Sequence, residues 1–305
     1  MSDPVEQEWR HQTVTQTRYP AAMTTENPIL RFGIIADPQY ADIEPDEVMN
    51  RYYAASLAKL SEAVDAFNAT DLDFVITLGD IIDRGWENFD AILSVYGTLR
   101  HKTHFLLGNH DFAVAPKHLG EVSGRLSMPS AYHDFAIGQW RFVILDGNDV
   151  SVFSAPAGDP RSMLAAERLR TLQAEGAINA HPWNGSLSEA QFTWLSGVLE
   201  NAEADGESVL VLCHYPIFPP NRHNLWDSQR LIDLLTGFSC FRGYFCGHNH
   251  DGNFGEVAGR PFVTFKGMVD TPDQNTFAIV ELFEDRIEIK GFGREESRAL
   301  SFSRV

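Results

Sequence analysis

The sequence predicts an α/β fold, and three of its features do so. Short apolar runs alternate with segments of helical periodicity through the first half of the chain. Five apolar runs along the chain stop at polar side chains able to bind a metal, three of them through a glycine. The last fifty-odd residues then change to short runs of alternating apolar and polar side chains, the pattern of antiparallel strands.

Taken in order, residues 1–27 are polar and read as an arm, leaving 28–305 as a single domain. Residues 30–36 (Leu-Arg-Phe-Gly-Ile-Ile-Ala) form the first strand and end at Asp37-Pro-Gln-Tyr-Ala-Asp42. Val48, Tyr52, Ala55, Leu57, Leu60, Val64 and Phe67 recur at helical spacing, which predicts a helix over 46–68. The run 73–79 is the next strand, so strand, helix and strand make a parallel βαβ unit. It ends in Leu78-Gly-Asp-Ile-Ile-Asp-Arg-Gly85. A helix over 86–100 leads to a strand over 103–107, which delivers Gly108-Asn-His-Asp111.

The text loosens from 112 to about 140, before a strand over 140–145 that ends at Asp146-Gly-Asn-Asp149. Residues 151–187 hold a charged helix (about 161–175) and a loop rich in His, Pro, Trp, Asn and Gly, long enough to be a lid. Cap segments are therefore expected over about 112–138 and 150–187. Ser188 is placed to cap a helix over 188–202. The strand 208–213 ends at His214, and the strand 241–246 ends at Gly247-His-Asn-His250. Antiparallel strands follow at 260–265, 276–283 and 286–290.

Composition narrows the function classes. The net charge of −18 repels DNA, RNA and anionic membranes, whose binding depends on Lys and Arg displacing counterions. Long nucleic acid is thereby a poor substrate, whereas a small phosphorylated molecule needs only a locally cationic pocket. No apolar run approaches the ~20 residues that span a bilayer, and no secretory leader is expected from the polar start. Three cysteines (Cys213, Cys240, Cys246) are too few for a disulfide framework and point to the reducing cytoplasm. By strand alternation, Cys213 and Cys246 should face away from the ligands beside them.

Five strand ends thus present Asp37 and Gln39, Asp80 and Asp83, Asn109 and His110, His214, then His248 and His250. Ligands bind in the crevice beyond the carboxyl ends of such strands. One Asp or His at a strand end is ordinarily a turn or structural residue. All five in this order imply one site. Oxygen and imidazole ligands without thiolate suit Mn²⁺, Mg²⁺ or Fe²⁺ rather than a closed structural zinc.

The order resembles the calcineurin-like metallophosphoesterases, whose signature runs Asp-x-His, Gly-Asp-x-x-Asp, Gly-Asn-His-Asp/Glu, His, Gly-His-x-His. This chain departs from it at Gln39. That departure is similar to the manganese-dependent ADP-ribose/CDP-alcohol diphosphatase group. So are Leu145–Ser151, Trp183-Asn-Gly-Ser-Leu-Ser-Glu-Ala-Gln-Phe-Thr-Trp-Leu195 and Lys266-Gly-Met-Val-Asp-Thr-Pro-Asp273. The resemblance implies a four-layer sandwich of two facing mixed sheets flanked by helices. It implies two divalent ions, Mn²⁺ first with Fe²⁺ or Mg²⁺ as alternatives. One would be held by Asp37, Gln39, Asp80 and His250, the other by Asp80, Asn109, His214 and His248. His110, held by Asp83, would act as general acid or charge stabiliser.

Arg84 is a possible phosphate contact or a surface ion pair, and Tyr40, Phe112 and Trp183 either stack a base or belong to the core. The histidines at 11, 101, 104, 118, 133, 181 and 223 are read as structural. The function so implied is hydrolysis of the pyrophosphate bond of small nucleotides, ADP-ribose or CDP-alcohols, to a nucleoside monophosphate and a phosphorylated partner. A cyclic-nucleotide phosphodiesterase is the alternative, with a protein phosphatase third. A non-catalytic scaffold would be expected to have lost ligands. Substrate preference rests on lid shape, and the sequence leaves oligomeric state open.

Overall fold

In the computed structural model, the described residues are 27–302. The polar arm expected over 1–27 lies outside them except for its last residue. The first half of the chain supplies β1 (Leu30–Ile35), α1 (Ser56–Asn68), β2 (Phe74–Thr77), α2 (Asn88–Tyr96) and β3 (Thr103–Phe105). Next come β4 (His133–Ile137), β5 (Trp140–Ile144), α3 (Pro160–Ala174), α4 (Glu189–Ala204), β6 (Ser208–Leu212) and α5 (Ser228–Thr236). The chain closes with β7 (Phe241–Cys246), β8 (Asn253–Val257), β9 (Arg260–Thr264), β10 (Thr276–Leu282), β11 (Arg286–Gly293) and β12 (Arg298–Ser301).

Two six-stranded mixed sheets result, in the orders β12-β11-β10-β1-β2-β3 and β4-β5-β6-β7-β9-β8. The parallel runs β1-β2-β3 and β5-β6-β7-β9 aim their carboxyl ends at one rim of the molecule. Strand alternation sorts the side chains into layers. Phe32, Ile34, Phe74, Phe142, Leu210, Leu212, Phe245 and Val280 fill the space between the sheets, with Phe32 stacked on Phe74 at 4.7 Å. Ile35, Val75 and Ile279 face the helix layer of α1 and α2, where they meet Leu60, Val64 and Phe67. Val209, Val211 and Tyr244 face Leu195, Leu199, Leu231 and Leu235 of α4 and α5. Helix, sheet, sheet, helix is the four-layer order that the resemblance implies. Among the described residues, no helix is long and apolar enough to cross a membrane.

Cys213 and Cys246 are buried, free, and packed with the helix layer. Ser188 caps α4, its hydroxyl accepting from the Gln191 amide at 3.2 Å.

The helix expected over 46–68 begins only at Ser56, after one 3₁₀ turn at Tyr53–Ala55. Asp46 and Arg51 exchange backbone hydrogen bonds of 2.9 Å each, and the Tyr52 amide donates to the Val269 carbonyl at 2.9 Å. Those bonds pin 46–52 to the loop after β9, and Val48 is left 98% exposed. Pairing with a distant segment of the chain has displaced the apparent helical period here. Strand β9 is antiparallel to β8 and also parallel to β7. The short strands β4, β8 and β12 and the helix α5 have no counterpart in the sequence reading.

Candidate metal centre

The rim where the parallel strands end gathers the polar motifs. Asp37 follows β1, Asp80 follows β2, Asn109 and His110 follow β3, His214 follows β6, and His248 and His250 follow β7. To turn inward immediately after an extended strand, the backbone enters the left-handed region at Asp37 (φ 48°), Gln39 (φ 41°), Asp80 (φ 51°) and His248 (φ 65°). Each such residue costs about 1–2 kcal/mol for a side chain other than glycine. Four of them at one site mark strain held by the surrounding fold. Cross-loop bonds do the holding. The Gln39 amide donates to the Asp80 carbonyl at 2.8 Å, the His110 amide to Asp80 Oδ1 at 2.8 Å, and the His248 amide to the Asp37 carboxylate at 3.1 Å. Gly108 has to be glycine, because a Cβ there would sit 2.1 Å from Asp80 Oδ1.

The side chains form two groups that share Asp80. In one, Asp80, His214 and His248 converge, with His214 Nε2 lying 3.3 Å from Asp80 Oδ2, 3.2 Å from Asn109 Oδ1 and 3.1 Å from His248 Nδ1. In the other, Asp37 joins Asp80 and His250, with His250 Nε2 at 3.5 Å from Asp37 Oδ1. Asp37, Gln39, Asp80 and His214 are fully buried. Gln39 Nε2 donates to Asp80 Oδ2 at 3.1 Å, while its Oε1 is buried with no hydrogen-bond partner.

Neighbours of these groups fix ring orientation. His214 Nδ1 is held by the Leu78 carbonyl at 2.8 Å and His250 Nδ1 by Asp270 Oδ1 at 2.9 Å, so both rings turn Nε2 inward. His110 Nδ1 sits 3.0 Å from the Asp83 carbonyl and 3.1 Å from its Oδ1. Burial opposes charge on His110, but Asp80 and Asp83 outweigh it and raise its pKa above the ordinary value. The same contest lifts His214 to about 9 through Asp80 and His250 to about 9 through Asp37 and Asp270. His248, buried beside His214, is held well below the ordinary range. Burial and the Asp80 charge push Asp111 up to about 7, and its carboxylate accepts from the amides of Gly108, Ile81 and Ile82. Asp111 thereby ties the Asp80 loop to the Asn109 loop.

The donor set fits two divalent cations on three counts. Buried carboxylates, an amide oxygen and imidazole nitrogens converge within 3.1–3.5 Å of one another, a set of potential ligand atoms close enough together to share cations. An orphaned amide oxygen, Gln39 Oε1, is left in the same place. The set contains no thiolate, as hard or borderline divalent ions prefer.

Every ligand named from the sequence is therefore in one cluster, with His110 and Asp83 against it. The remaining nominations separate. Tyr40 and Phe112 belong to the core beside α1 and α2. Trp183 has His181 stacked on its ring at 4.2 Å and Arg222 over it at 5.1 Å. Arg84 is exposed and pairs with Asp83.

Four nearby residues carried no assignment from sequence. His223, read as structural, has its ring 5.3 Å from that of His248. The Arg51 guanidinium is close enough to oppose protonation of His110, His223 and His250, and it makes no ion pair among the described residues. Asp270 and Asn184 touch His250 and His248 directly. Both lie inside stretches that carry the resemblance, 266–273 and 183–195, which is the signal that was available.

A four-layer sandwich with this cluster at its strand ends defines a metal-dependent phosphohydrolase. The family model of the calcineurin-like phosphoesterases matches residues 30–252, and the chain belongs to that family. A Homo sapiens relative, the manganese-dependent ADP-ribose/CDP-alcohol diphosphatase, is 28% identical over 90% of this chain and 94% of its own. The Danio rerio protein of that name is 28% identical over 91% of this chain and 100% of its own. The crystal structure of a dimetal phosphatase from Danio rerio superposes with a TM-score of 0.81 at 27% identity, covering 91% of this chain and 100% of that one.

Proposed function

We propose that this phosphohydrolase cleaves the pyrophosphate bond of small nucleotides, ADP-ribose or CDP-alcohols, releasing a nucleoside monophosphate and a phosphorylated partner. Two divalent cations, Mn²⁺ by preference, would be its cofactors. Asp37, Gln39, Asp80 and His250 would hold one, and Asp80, Asn109, His214 and His248 the other. What such a pair supplies when bound is an activated water near neutral pH and an offset for charge on the attacking and leaving oxygens.

The observation that carries the substrate reading is Arg51. Its positive charge opposes protonation of His110, His223 and His250, and it has no carboxylate ion pair among the described residues. A cationic group placed there, in a chain of net charge −18, suits a second phosphate next to the one that reacts. The full-length likeness to enzymes named for ADP-ribose and CDP-alcohols supports the same choice.

On this reading the chain's own groups divide the remaining work. Asp83 takes the Nδ1 proton of His110 in a hydrogen bond, which leaves Nε2 to carry a proton towards the leaving oxygen. The charges of Asp80 and Asp83 outweigh burial and raise the His110 pKa, which favours the protonated ring that this role needs. Arg51 would orient the distal phosphate by a charge-assisted fork.

The test is a panel of ADP-ribose, CDP-choline, CDP-glycerol and cyclic nucleotides with added Mn²⁺, scored for released monophosphate. The proposal expects AMP and ribose 5-phosphate from ADP-ribose in equal amounts. It expects Arg51→Ala to raise KM at least tenfold. Turnover confined to cyclic nucleotides would refute it.

A further inference from the structure

Asn184 lies in the long connection between α3 and α4, is fully buried, and uses its whole carboxamide. Its Nδ2 donates to the Asn179 carbonyl at 3.0 Å and to the Arg222 carbonyl at 2.8 Å. Two carbonyls on that side leave one possible orientation of the amide, with Oδ1 turned to His248 Nε2 at 3.0 Å. Because Oδ1 can only accept, His248 must carry its proton on Nε2. Nδ1, the nitrogen that faces His214 Nε2 at 3.1 Å, is then left with a free lone pair. The approach that makes this possible is tight. Gly185 admits no side chain, since a Cβ would lie 2.2 Å from the Gly147 carbonyl oxygen.

The two carbonyls belong to the two loops that border the site. Asn179 also donates to the Leu225 carbonyl at 2.8 Å, and the Trp226 amide donates to the Gly185 carbonyl at 2.8 Å. Arg222, whose carbonyl Asn184 holds, lies over Trp183, and His223 follows it against His248. One side chain therefore joins the 176–187 segment, the 219–226 loop and an imidazole of the cluster.

We propose that Asn184 is the positioning residue for the cation shared by His214 and His248. It fixes the His248 tautomer, and through the same amide it couples the order of the two bordering loops to occupancy of that one position. The coupling runs both ways: loops held by Asn184 raise affinity at this position, and the bound ion protects the loops. The position held by Asp37 and His250 is outside this link, because His250 takes its orientation from Asp270. The inference rests on the two-cation reading above.

The experiment follows Mn²⁺ uptake by chelator-stripped protein, using the electron paramagnetic resonance signal of free Mn²⁺, in wild type, Asn184→Leu and Asn184→Asp. Hydrogen exchange over 176–187 and 219–226 is measured with and without Mn²⁺. Wild type is expected to bind two ions and to slow exchange in both loops on binding. Asn184→Leu should weaken one position by about 10–100-fold, leave the other unchanged, and lose the Mn²⁺-dependent protection. Asn184→Asp keeps an oxygen opposite Nε2 and loses the donor pair. It should hold both ions within a few-fold of wild type while losing loop protection. It also decides the matter if the leucine variant does not fold.

Undiminished affinity at both positions in Asn184→Leu, or weakening in Asn184→Asp as large as in the leucine variant, overturns the inference alone. A wild-type protein that binds no Mn²⁺ overturns the two-cation reading and this inference with it.

Discussion

Gly108→Ala tests whether the placement of Asp80, more than the identity of the ligands, sets activity. The added Cβ would lie 2.1 Å from Asp80 Oδ1 and 2.4 Å from its amide nitrogen, whereas ordinary contacts begin near 3.4 Å. Asp80 cannot swing aside freely. Its carboxylate is held by the His110 amide at 2.8 Å and Gln39 Nε2 at 3.1 Å, and His214 Nε2 lies at 3.3 Å. Relief therefore moves the carboxylate by about 1 Å, and a misplacement of that size costs about 100-fold in rate. That loss is a barrier increase of ~2.7 kcal/mol. The assay is kcat/KM for ADP-ribose with saturating Mn²⁺, with thermal unfolding as the check that the fold survives. A folded Gly108→Ala protein within threefold of the wild-type rate would refute the reasoning.

Other perturbations separate the roles of particular residues. His110→Ala should reduce hydrolysis of an alkyl phosphodiester far more than that of ADP-ribose. An alkoxide needs a proton to depart, whereas a phosphate monoester with a second pKa of about 6 does not; equal fractional losses in kcat/KM would remove the general-acid role. His104 is lowered to about 4 by burial, with Lys102 and His133 adding to the effect, and its ring stacks on Phe135 at 3.9 Å. The unfolded chain binds this proton near pH 6.5 and the folded chain only near pH 4, so stability falls as pH drops through that window. His104→Phe should recover ~2 kcal/mol at pH 4 relative to pH 7 after allowance for solvent screening, measured by urea unfolding in chelator. Parallel pH curves for the two proteins would show that His104 is protonated in the fold.

The strands and the ligands were legible because both follow from short-range chemistry. An apolar run ending in an Asp or His able to bind a metal states its own burial and its own polar terminus, and β1, β2, β6 and β7 keep that promise. Residues supplied by irregular loops were not legible. Arg51 reaches the site only because 46–52 pairs with the loop after β9, and nothing local encodes that pairing. The same pairing undid the helical period assigned to Val48. His223 carries no local sign that its loop folds against His248. The left-handed backbone at Asp37, Gln39, Asp80 and His248 has no sequence signature either, because none of the four is glycine. Tertiary contacts impose it.

The central claim is that two cations, joined through Asp80, carry out pyrophosphate hydrolysis. It is tested most directly by one titration in which Mn²⁺ is returned to chelator-stripped protein while bound ions and ADP-ribose hydrolysis are measured together. Activity should be absent at the start, rise as the second position fills, and level off at about two ions per chain. Asp80→Asn, which removes a charge from both groups, should leave the folded protein below a tenth of the wild-type rate at any Mn²⁺ concentration. Full activity in stripped protein, or a plateau reached with one ion bound, would contradict the account.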